Sequence, residues 1–321
     1  MRVLIALGGN ALIRAGERGT WAEQRANAVT ASRAIVAAKH AGHEVVLAHG
    51  NGPQVGLLAL QQASGEPDAP ALPFDVLVAM TQGQMGYLLQ DAIGSVDPAL
   101  PTATVLTRAR VAADDPAFAD PPTKPVGPFY SEDEARKLAG AREWDVGPDS
   151  DRGWRRLVAS PRPAGVVEHE QIAALAKRGV LVVAAGGGGV PVVERDDGLT
   201  GVEAVIDKDR CATELALQIG ADLVVLTTGV PRVSFDFGTR WQRDMEVLTV
   251  SDAQRHMEDG DFPAGSMGPK IESAVRFAFA GGRAVITDPE HLTEALDGRG
   301  GTYIVPDEEG PSRVAPAPAA A

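Results

Sequence analysis

Three short apolar runs in this sequence each end in a turn that is rich in glycine. In chain order, the runs and turns are Val3–Leu7 with Gly8 and Gly9, Val45–Ala48 with His49, Gly50 and Asn51, and Leu181–Ala185 with Gly186–Gly189. Continuous apolar runs of this length are typical of strands in a parallel sheet that is covered on both faces. In such a sheet the turns lie together at the carboxyl ends of the strands, where ligands bind.

The composition of these turns suits an anionic ligand. Glycine lets backbone N–H groups approach a ligand closely, and the N-terminus of a following helix adds a favourable dipole. Asn10 and Asn51 occupy the same position in two of the turns and add amide donors. Any one turn could simply require a positive φ, so the prediction of an anion site depends on all three turns occurring together.

Amphipathic segments alternate with the apolar runs. The predicted strands are Arg2–Leu7, Glu44–Ala48, Thr102–Thr107, Val180–Ala185, Leu223–Thr227, Ala284–Thr287 and Thr302–Val305. The predicted helices are Trp21–Ala41, Gln54–Gln62, Phe74–Ile93, Glu168–Arg178, Asp207–Ile219 and Met267–Ala280. This alternation predicts an α/β fold with an open, mainly parallel central sheet between helices.

Two segments do not follow this alternation. Residues 114–160 are rich in Pro, Gly, Asp and Arg and show little hydrophobic periodicity, which is typical of a functional lid or a linker. Their aromatic residues favour an ordered segment, because these give it something to bury; they are Phe129, Tyr130, Trp144 and Trp154. The tail 307–321 ends in Ala and Pro and is expected to be disordered.

Composition excludes several classes of function. A formal net charge of −13 argues against a nucleic acid partner, although a local cluster of lysines can still bind a small phosphorylated ligand. The sequence contains no apolar run long enough to span a membrane, and its single cysteine, Cys211, excludes an internal disulfide and predicts a small buried helix position. The histidines lack metal-ligand spacing, so no zinc site is expected. A cytoplasmic location is expected.

The standard nucleotide-binding signatures are absent. The sequence contains neither the G-x-x-x-x-G-K-[ST] of a P-loop nor a G-x-G-x-x-G that opens a helix after a strand. If this protein binds a phosphate, it therefore does so through a different arrangement of residues.

Three lysines are candidates for that arrangement. Lys208 lies between Asp207 and Asp209 at a predicted helix start, and Lys270 lies at another. A cation at a helix N-terminus opposes the helix dipole. This placement is easier to explain if an anion binds between the lysine and the helix end. Lys124 lies between prolines that would stiffen its loop. A solvated surface lysine remains the alternative interpretation for each.

Several of these segments together resemble the carbamate kinases. They are Ala6–Leu12, His49–Gly56, Thr123–Tyr130, Gly186–Val193, Gly201–Asp209 and Gly265–Lys270, in the order found in that family and across roughly residues 1–305. The resemblance implies the amino-acid-kinase fold. It implies an acceptor lobe at 1–203 that contains a small protruding lid at about 114–160, and a nucleotide-binding lobe at 204–306.

The resemblance also implies residue roles. Carbamate and the transferring phosphoryl group would be held by Gly8, Gly9, Asn10, Gly50 and Asn51, and the catalytic residues would be Lys124, Lys208, Asp209 and Lys270. Lys124 would come from the lid, while Asp209 would hold the other two lysines in place. The nucleotide would contact Gly187, Gly188, Thr227, Thr228, Gly229, Met267 and Lys270. The family uses Mg²⁺ with ADP or ATP and is usually a homodimer.

The reaction implied is reversible phosphoryl transfer between carbamoyl phosphate and ADP, expected to run toward ATP and carbamate, as in arginine metabolism. Carbamate is already an anion and needs no general base, which agrees with a site rich in Gly, Asn and Lys. Residues 227–240 depart from the Thr-Asp-Val and Lys-Pro pattern that is common in the family. The alternatives are a related kinase for another small acid or phosphate acceptor, and a non-catalytic nucleotide-binding homologue.

Overall fold

The computed structural model describes residues 1–14, 16–65, 70–142, 144–149, 153–262 and 267–308. At Asn10, Ala63, Gly65 and Pro128 it describes the backbone alone. Within these ranges, no helix combines the length and the apolar character that crossing a bilayer requires.

An eight-stranded sheet forms the centre of the molecule. With strands numbered along the chain, its spatial order is β15 (Val247–Thr249), β17 (Thr302–Val305), β16 (Arg283–Thr287), β12 (Leu223–Thr227), β1 (Arg2–Leu7), β2 (Glu44–His49), β9 (Leu181–Val183) and β3 (Thr102–Thr104). The six strands from β16 to β3 are parallel, while β15 and β17 run the other way because β17 pairs antiparallel to β16. The predicted fold class is confirmed.

Helices cover both faces of this sheet. They are α1 (Trp21–His40), α2 (Gly52–Gly65), α3 (Phe74–Val96), α4 (Glu132–Arg142), α5 (His169–Lys177), α6 (Lys208–Gln218), α7 (Val250–Glu258), α8 (Met267–Phe279) and α9 (Leu292–Leu296). In β1, Leu4 and Ala6 pack with the core under α5, α6, α7 and α8, whereas Ile5 packs with the core under α1, α3 and α9. Both faces of the strand are therefore buried, which explains its unbroken apolar sequence.

The structure contains a second sheet, of four strands. It consists of β11 (Gly198–Gly201), β10 (Val190–Arg195), β4 (Arg108–Val111) and β8 (Pro163–Val166), in that spatial order. A short hairpin pairs β13 (Ser234–Phe235) with β14 (Arg243–Asp244). These elements were not predicted, because strands of two to six residues with Gly and Pro carry little periodic signal.

A small subdomain at residues 124–158 forms a third sheet. Its antiparallel strands are β5 (Lys124–Tyr130), β7 (Trp154–Val158) and β6 (Asp145–Pro148), in that spatial order, and α4 accompanies them. No strand or helix was predicted in this stretch, because its sequence shows little hydrophobic periodicity. Arginine–aromatic contacts replace an apolar stripe, with the Arg136 guanidinium 5.0 Å from the Trp154 ring and that of Arg156 4.8 Å from the Trp144 ring.

The small subdomain is attached to the body by a separate apolar cluster. Val126 of β5 and Val158 of β7 pack with Val55 of α2 and Phe74 of α3. At the other end of the chain, residues 309–321 lie outside the described part. Asp307, predicted to belong to a disordered tail, accepts hydrogen bonds of 2.9 and 2.8 Å from the backbone N–H and the hydroxyl of Ser251.

Candidate active site

The glycine turns meet at the carboxyl ends of β1, β2, β9 and β12. Because these four strands are neighbours and parallel, their ends open on one side of the sheet, where the described residues form a large cleft. Predicted site residues that line this cleft are Gly8, Gly9, Gly50, Asn51, Lys124, Gly187, Lys208, Asp209, Thr227, Thr228, Gly229 and Lys270. Residues that lie far apart in sequence thus face the same space.

Close packing explains the glycine at position 187, and the contacts of Gly50 join two of these turns to a lysine. Gly187 has a φ of +63°, and a Cβ at this position would overlap the Asn51 side chain. The stem of Lys208 runs beside Gly50, where a Cβ would lie 3.4 Å from the lysine Cδ and 3.6 Å from the backbone nitrogen of Gly9. The turns and the lysine therefore form one continuous surface.

The predicted asparagines differ in what the structure shows. Asn51 is 2% exposed, and its Nδ2 donates a 2.8 Å hydrogen bond to the Thr81 hydroxyl. It therefore holds the second turn against α3, in addition to lining the cleft. The side chain of Asn10 lies outside the described residues.

Two lysines converge on one carboxylate. Lys208 Nζ lies 2.5 Å from Asp209 Oδ1, and Lys270 Nζ lies 2.7 Å from Asp209 Oδ2. Asp209 is only 3% exposed. These two lysines, predicted from separate helix starts, therefore share a single counter-charge at the floor of the cleft, and one positive charge of the three groups remains unbalanced.

Two further ion pairs fix α6 against α8. Arg210 NH2 lies 2.8 Å from Glu272 Oε2, and Glu214 pairs with Arg276. Arg210 and Glu214 are four residues apart on α6, as are Glu272 and Arg276 on α8, so each helix presents both of its residues on one face. This register brings Lys270 to Asp209.

Burial and mutual attraction set the protonation of the three groups. Burial lowers the pKa of Lys208 to about 8, although the carboxylate of Asp209 opposes this shift. For Lys270, burial is outweighed by Asp209, and its pKa is raised. The two ammonium groups hold the pKa of Asp209 below its usual range despite burial. At neutral pH the site is therefore cationic overall.

The third lysine enters from the small subdomain. Lys124 Nζ lies 2.5 Å from Asp207 Oδ2, and Asp207 Oδ1 accepts the backbone N–H groups of Asp209 at 2.9 Å and Arg210 at 3.3 Å. Burial alone would raise the pKa of Asp207, but the attraction of Lys124, supported by Lys208 and Lys270, outweighs burial and brings the pKa well below the usual range. Asp207 was not predicted as a site residue, although an Asp just before a helix is a recognisable N-cap.

Some predicted residues lie elsewhere. Gly188 and Met267 do not line the cleft: Gly188 packs against the carbonyl of Ile206, and Met267 packs against the core below α8. Gly265 and Ser266 lie outside the described residues. Arg155, which was not predicted, lines the cleft from β7 and donates a 2.8 Å hydrogen bond to the carbonyl of Gly127.

The nearby histidine and cysteine are buried in the core. Burial lowers the pKa of His49 to about 4, and its Nδ1 lies 3.0 Å from the carbonyl of Gly50, so a neutral ring supports the turn. Cys211 is fully buried, as predicted. In the described part of the chain, one cluster has metal-ligand spacing: His256, Asp259 and Asp261, which follow one another near the end of α7 and do not line the cleft.

Glycine turns and lysines at the carboxyl edge of a parallel sheet define a site for handling a small anionic group. The sequence profile of the amino acid kinase family matches residues 1–288. The chain is 48% identical to the carbamate kinase of Halobacterium salinarum over 307 residues and 45% identical to that of Pyrococcus furiosus over 312 residues. Each alignment covers 95% of this chain and 99% of the relative.

Solved structures agree with these relatives. Carbamate kinase from Giardia lamblia bound to citric acid superimposes with a TM-score of 0.91, and the same enzyme bound to AMP-PNP with 0.87. Both are 39% identical in sequence, and each comparison covers 95% of this chain and 98% of the other. The chain therefore belongs to the amino acid kinase family and, within it, to the carbamate kinases.

Proposed function

We propose that the protein catalyses reversible phosphoryl transfer between carbamoyl phosphate and ADP, giving carbamate and ATP, and that ATP synthesis is its main direction. The observation that carries this proposal is the convergence of Lys208 and Lys270 on Asp209 beside the glycine turns. Relatives named carbamate kinase, matched over nearly their full length, support the choice of acceptor.

Charge compensation is the main chemical task of these residues. A transferring phosphoryl group carries charge on its oxygens, and preorganised donors in a cleft stabilise that charge. In our proposal Lys208 and Lys270 contact the phosphoryl group in flight, while Asp209 fixes their direction. Gly8, Gly9, Asn10, Gly50 and Asn51 hold the carbamate and the phosphoryl oxygens. Since carbamate is an anion, its oxygen attacks without a general base.

The small subdomain would act as a lid over the acceptor. It reaches the cleft through Lys124, and its Gly127 packs so closely on Gly56 of α2 that a Cβ on Gly56 would overlap the Gly127 backbone. Residues 1–203 would then form the acceptor lobe and residues 204–306 the nucleotide lobe.

The nucleotide would bind beside β12. Thr227, Thr228, Gly229 and Lys270 line that part of the cleft, and Gly187 borders it from β9. The residues present fit a magnesium ion that arrives on the nucleotide phosphates, because both oxygens of Asp209 already bond lysines and a dedicated carboxylate cage would need free oxygens. When bound, the ion would neutralise phosphate charge.

We also propose a homodimer. An exposed stripe on α3 contains Val76, Met80 and Tyr87, which are 37%, 44% and 63% exposed, and the Tyr87 ring stacks on Trp21 at 5.9 Å. Apolar side chains on one helix face are suited to a partner. We further propose that the enzyme is cytoplasmic. It would consume carbamoyl phosphate produced by catabolism, including arginine metabolism.

A coupled assay tests the function directly. Carbamoyl phosphate and MgADP should give ATP, detected through hexokinase and glucose 6-phosphate dehydrogenase. N-Acetylglutamate, glutamate, aspartate, UMP and fosfomycin should not be phosphorylated by ATP under the same conditions. Turnover of one of these acceptors without turnover of carbamoyl phosphate, or nucleotide binding without any turnover, would refute the proposal.

A further inference from the structure

Asp207 connects the two parts of the chain that bring lysines to the cleft. Its Oδ2 accepts the 2.5 Å hydrogen bond of Lys124, 83 residues away, while its Oδ1 caps α6 through the N–H groups of Asp209 and Arg210. The helix so capped begins with Lys208. One carboxylate thus binds Lys124 of the small subdomain and also caps the helix that carries Lys208.

The charges around Asp207 explain why its contact with Lys124 matters. Lys208, Lys270 and Asp209 together leave one net positive charge, so a further ammonium group would be repelled from the cleft. Asp207 is 9% exposed and remains ionised: burial raises its pKa, but Lys124 foremost, together with Lys208 and Lys270, lowers it by more. In a partly buried site an opposite charge at hydrogen-bond distance is strongly attractive. Asp207 therefore compensates the charge of Lys124 where it meets the cleft.

We propose that Asp207 is a positioning residue for phosphoryl transfer, which holds Lys124 of the small subdomain at the acceptor side of the cleft. An ammonium group has three N–H donors, and Asp207 uses one of them. The other two are then available to carbamoyl phosphate. This inference rests on the proposed function and adds a residue to it.

A purely structural role as helix cap is the competing explanation, and one substitution separates the two. Asparagine caps helices as well as aspartate does, but it is neutral. Asp207→Asn therefore keeps the hydrogen bonds to the N-terminus of α6 and removes the charge that attracts Lys124. Asp207→Ser is a second neutral cap, for use if the first variant folds poorly.

A double-mutant cycle measures whether Asp207 acts through Lys124. In the wild-type background, Asp207→Asn should lower kcat/KM for carbamoyl phosphate by about 10- to 100-fold, the effect of losing a hydrogen bond between charged groups. The KM for ADP should change by less than about twofold, because the contact lies on the acceptor side. In a Lys124→Ala background the same substitution should cost less than about twofold. Equal losses in both backgrounds would overturn the proposal.

Asp115 provides a matched control. Its two carboxylate oxygens accept the backbone N–H groups of Ala117 and Arg162, both at 2.9 Å, so it also joins two segments by capping, without a lysine. Asp115→Asn should leave the kinetics for carbamoyl phosphate unchanged. A loss as large as that of Asp207→Asn would show that any such cap matters equally, which would overturn the specific role.

Hydrogen exchange gives a readout that does not need turnover. Backbone amides of β5 and β7 should exchange faster in Asp207→Asn and in Lys124→Ala than in the wild type, and no faster in the double variant than in either. Unchanged exchange in Asp207→Asn would overturn the proposal. A wild-type protein that makes no ATP would defeat the proposed function alone, since the exchange experiment would still decide whether Asp207 anchors Lys124.

Discussion

The floor of the cleft and the small subdomain hold their lysines by different means. Lys208 and Lys270 have side chains only 13% and 12% exposed, and they come from helices joined by two more ion pairs. Lys124 is 32% exposed and comes from a three-stranded sheet that packs on the body through a small apolar cluster. The positive charges at the floor of the cleft are therefore held by packed helices, whereas Lys124 reaches the cleft from a separate small sheet.

This difference separates two tasks of the site. Charge that stabilises a transition state must be in place before reaction, so rigid helices are suited to carry it. Charge that binds and encloses a substrate can arrive on a mobile part. We therefore expect changes in the floor to reduce kcat most, and changes in the small subdomain to act mainly on the KM for carbamoyl phosphate.

Loss of a floor lysine should have the largest effect. Lys270→Ala should lower kcat by about 10²- to 10³-fold, as is typical when one preorganised donor to a transition state is removed. Lys177→Ala, at the exposed end of α5, is the control and should keep wild-type turnover. Steady-state kinetics in the direction of ATP synthesis measure both. Full turnover by Lys270→Ala would contradict the role given to the floor.

Displacing the small subdomain should have a smaller effect, mainly on KM. Gly56→Ala places a Cβ against the backbone of Gly127, so the subdomain must shift outward. We expect kcat/KM for carbamoyl phosphate to fall about 10- to 100-fold, because misplacement by about 1 Å can cost that much. Gly140→Ala, in α4, is the control, since its Cβ would meet nothing within 4 Å. A large loss in kcat with unchanged KM would remove the distinction between the two regions.

The pH dependence of kcat/KM should report on Lys208, at the floor of the cleft. The pKa of Lys208 is lowered to about 8, so the free enzyme loses this ammonium as the pH rises through that value. We expect kcat/KM to be about tenfold lower at pH 9 than at pH 7. In Lys208→Arg this decline should be absent, because a guanidinium stays protonated. A decline that persists there would assign it to another group.

Thiol labelling should show the smallest effect. Cys211 is fully buried in α6, and burial raises the pKa of its thiol. Iodoacetamide should therefore leave the intact mass of the native protein unchanged, while the unfolded protein gains one adduct. The same result is expected for Gly56→Ala, because the subdomain can shift without opening α6. Faster labelling of that variant would show that the two regions move together.

The core strands could be predicted closely from the sequence, whereas the small sheets could not. Arg2–Leu7, Leu223–Thr227 and Thr302–Val305 begin and end at the predicted residues, because burial on two faces leaves an unbroken apolar run. Arginines of the strand Trp154–Val158 contact aromatic side chains, and in Asp145–Pro148 only Gly147 is buried, so neither sequence shows an apolar run.

The sequence alone determined which residue types could bind and transfer a phosphoryl group. Glycine turns after apolar strands and lysines at helix starts are local patterns, and local patterns can be recognised without coordinates. Only the tertiary structure decided which lysine pairs with which carboxylate. Lys208 and Lys270 share Asp209, while Lys124 pairs with Asp207, 83 residues away in the sequence. Ion pairing falls off with distance in space, and the distance between residues far apart in the chain is fixed by how helices and sheets pack.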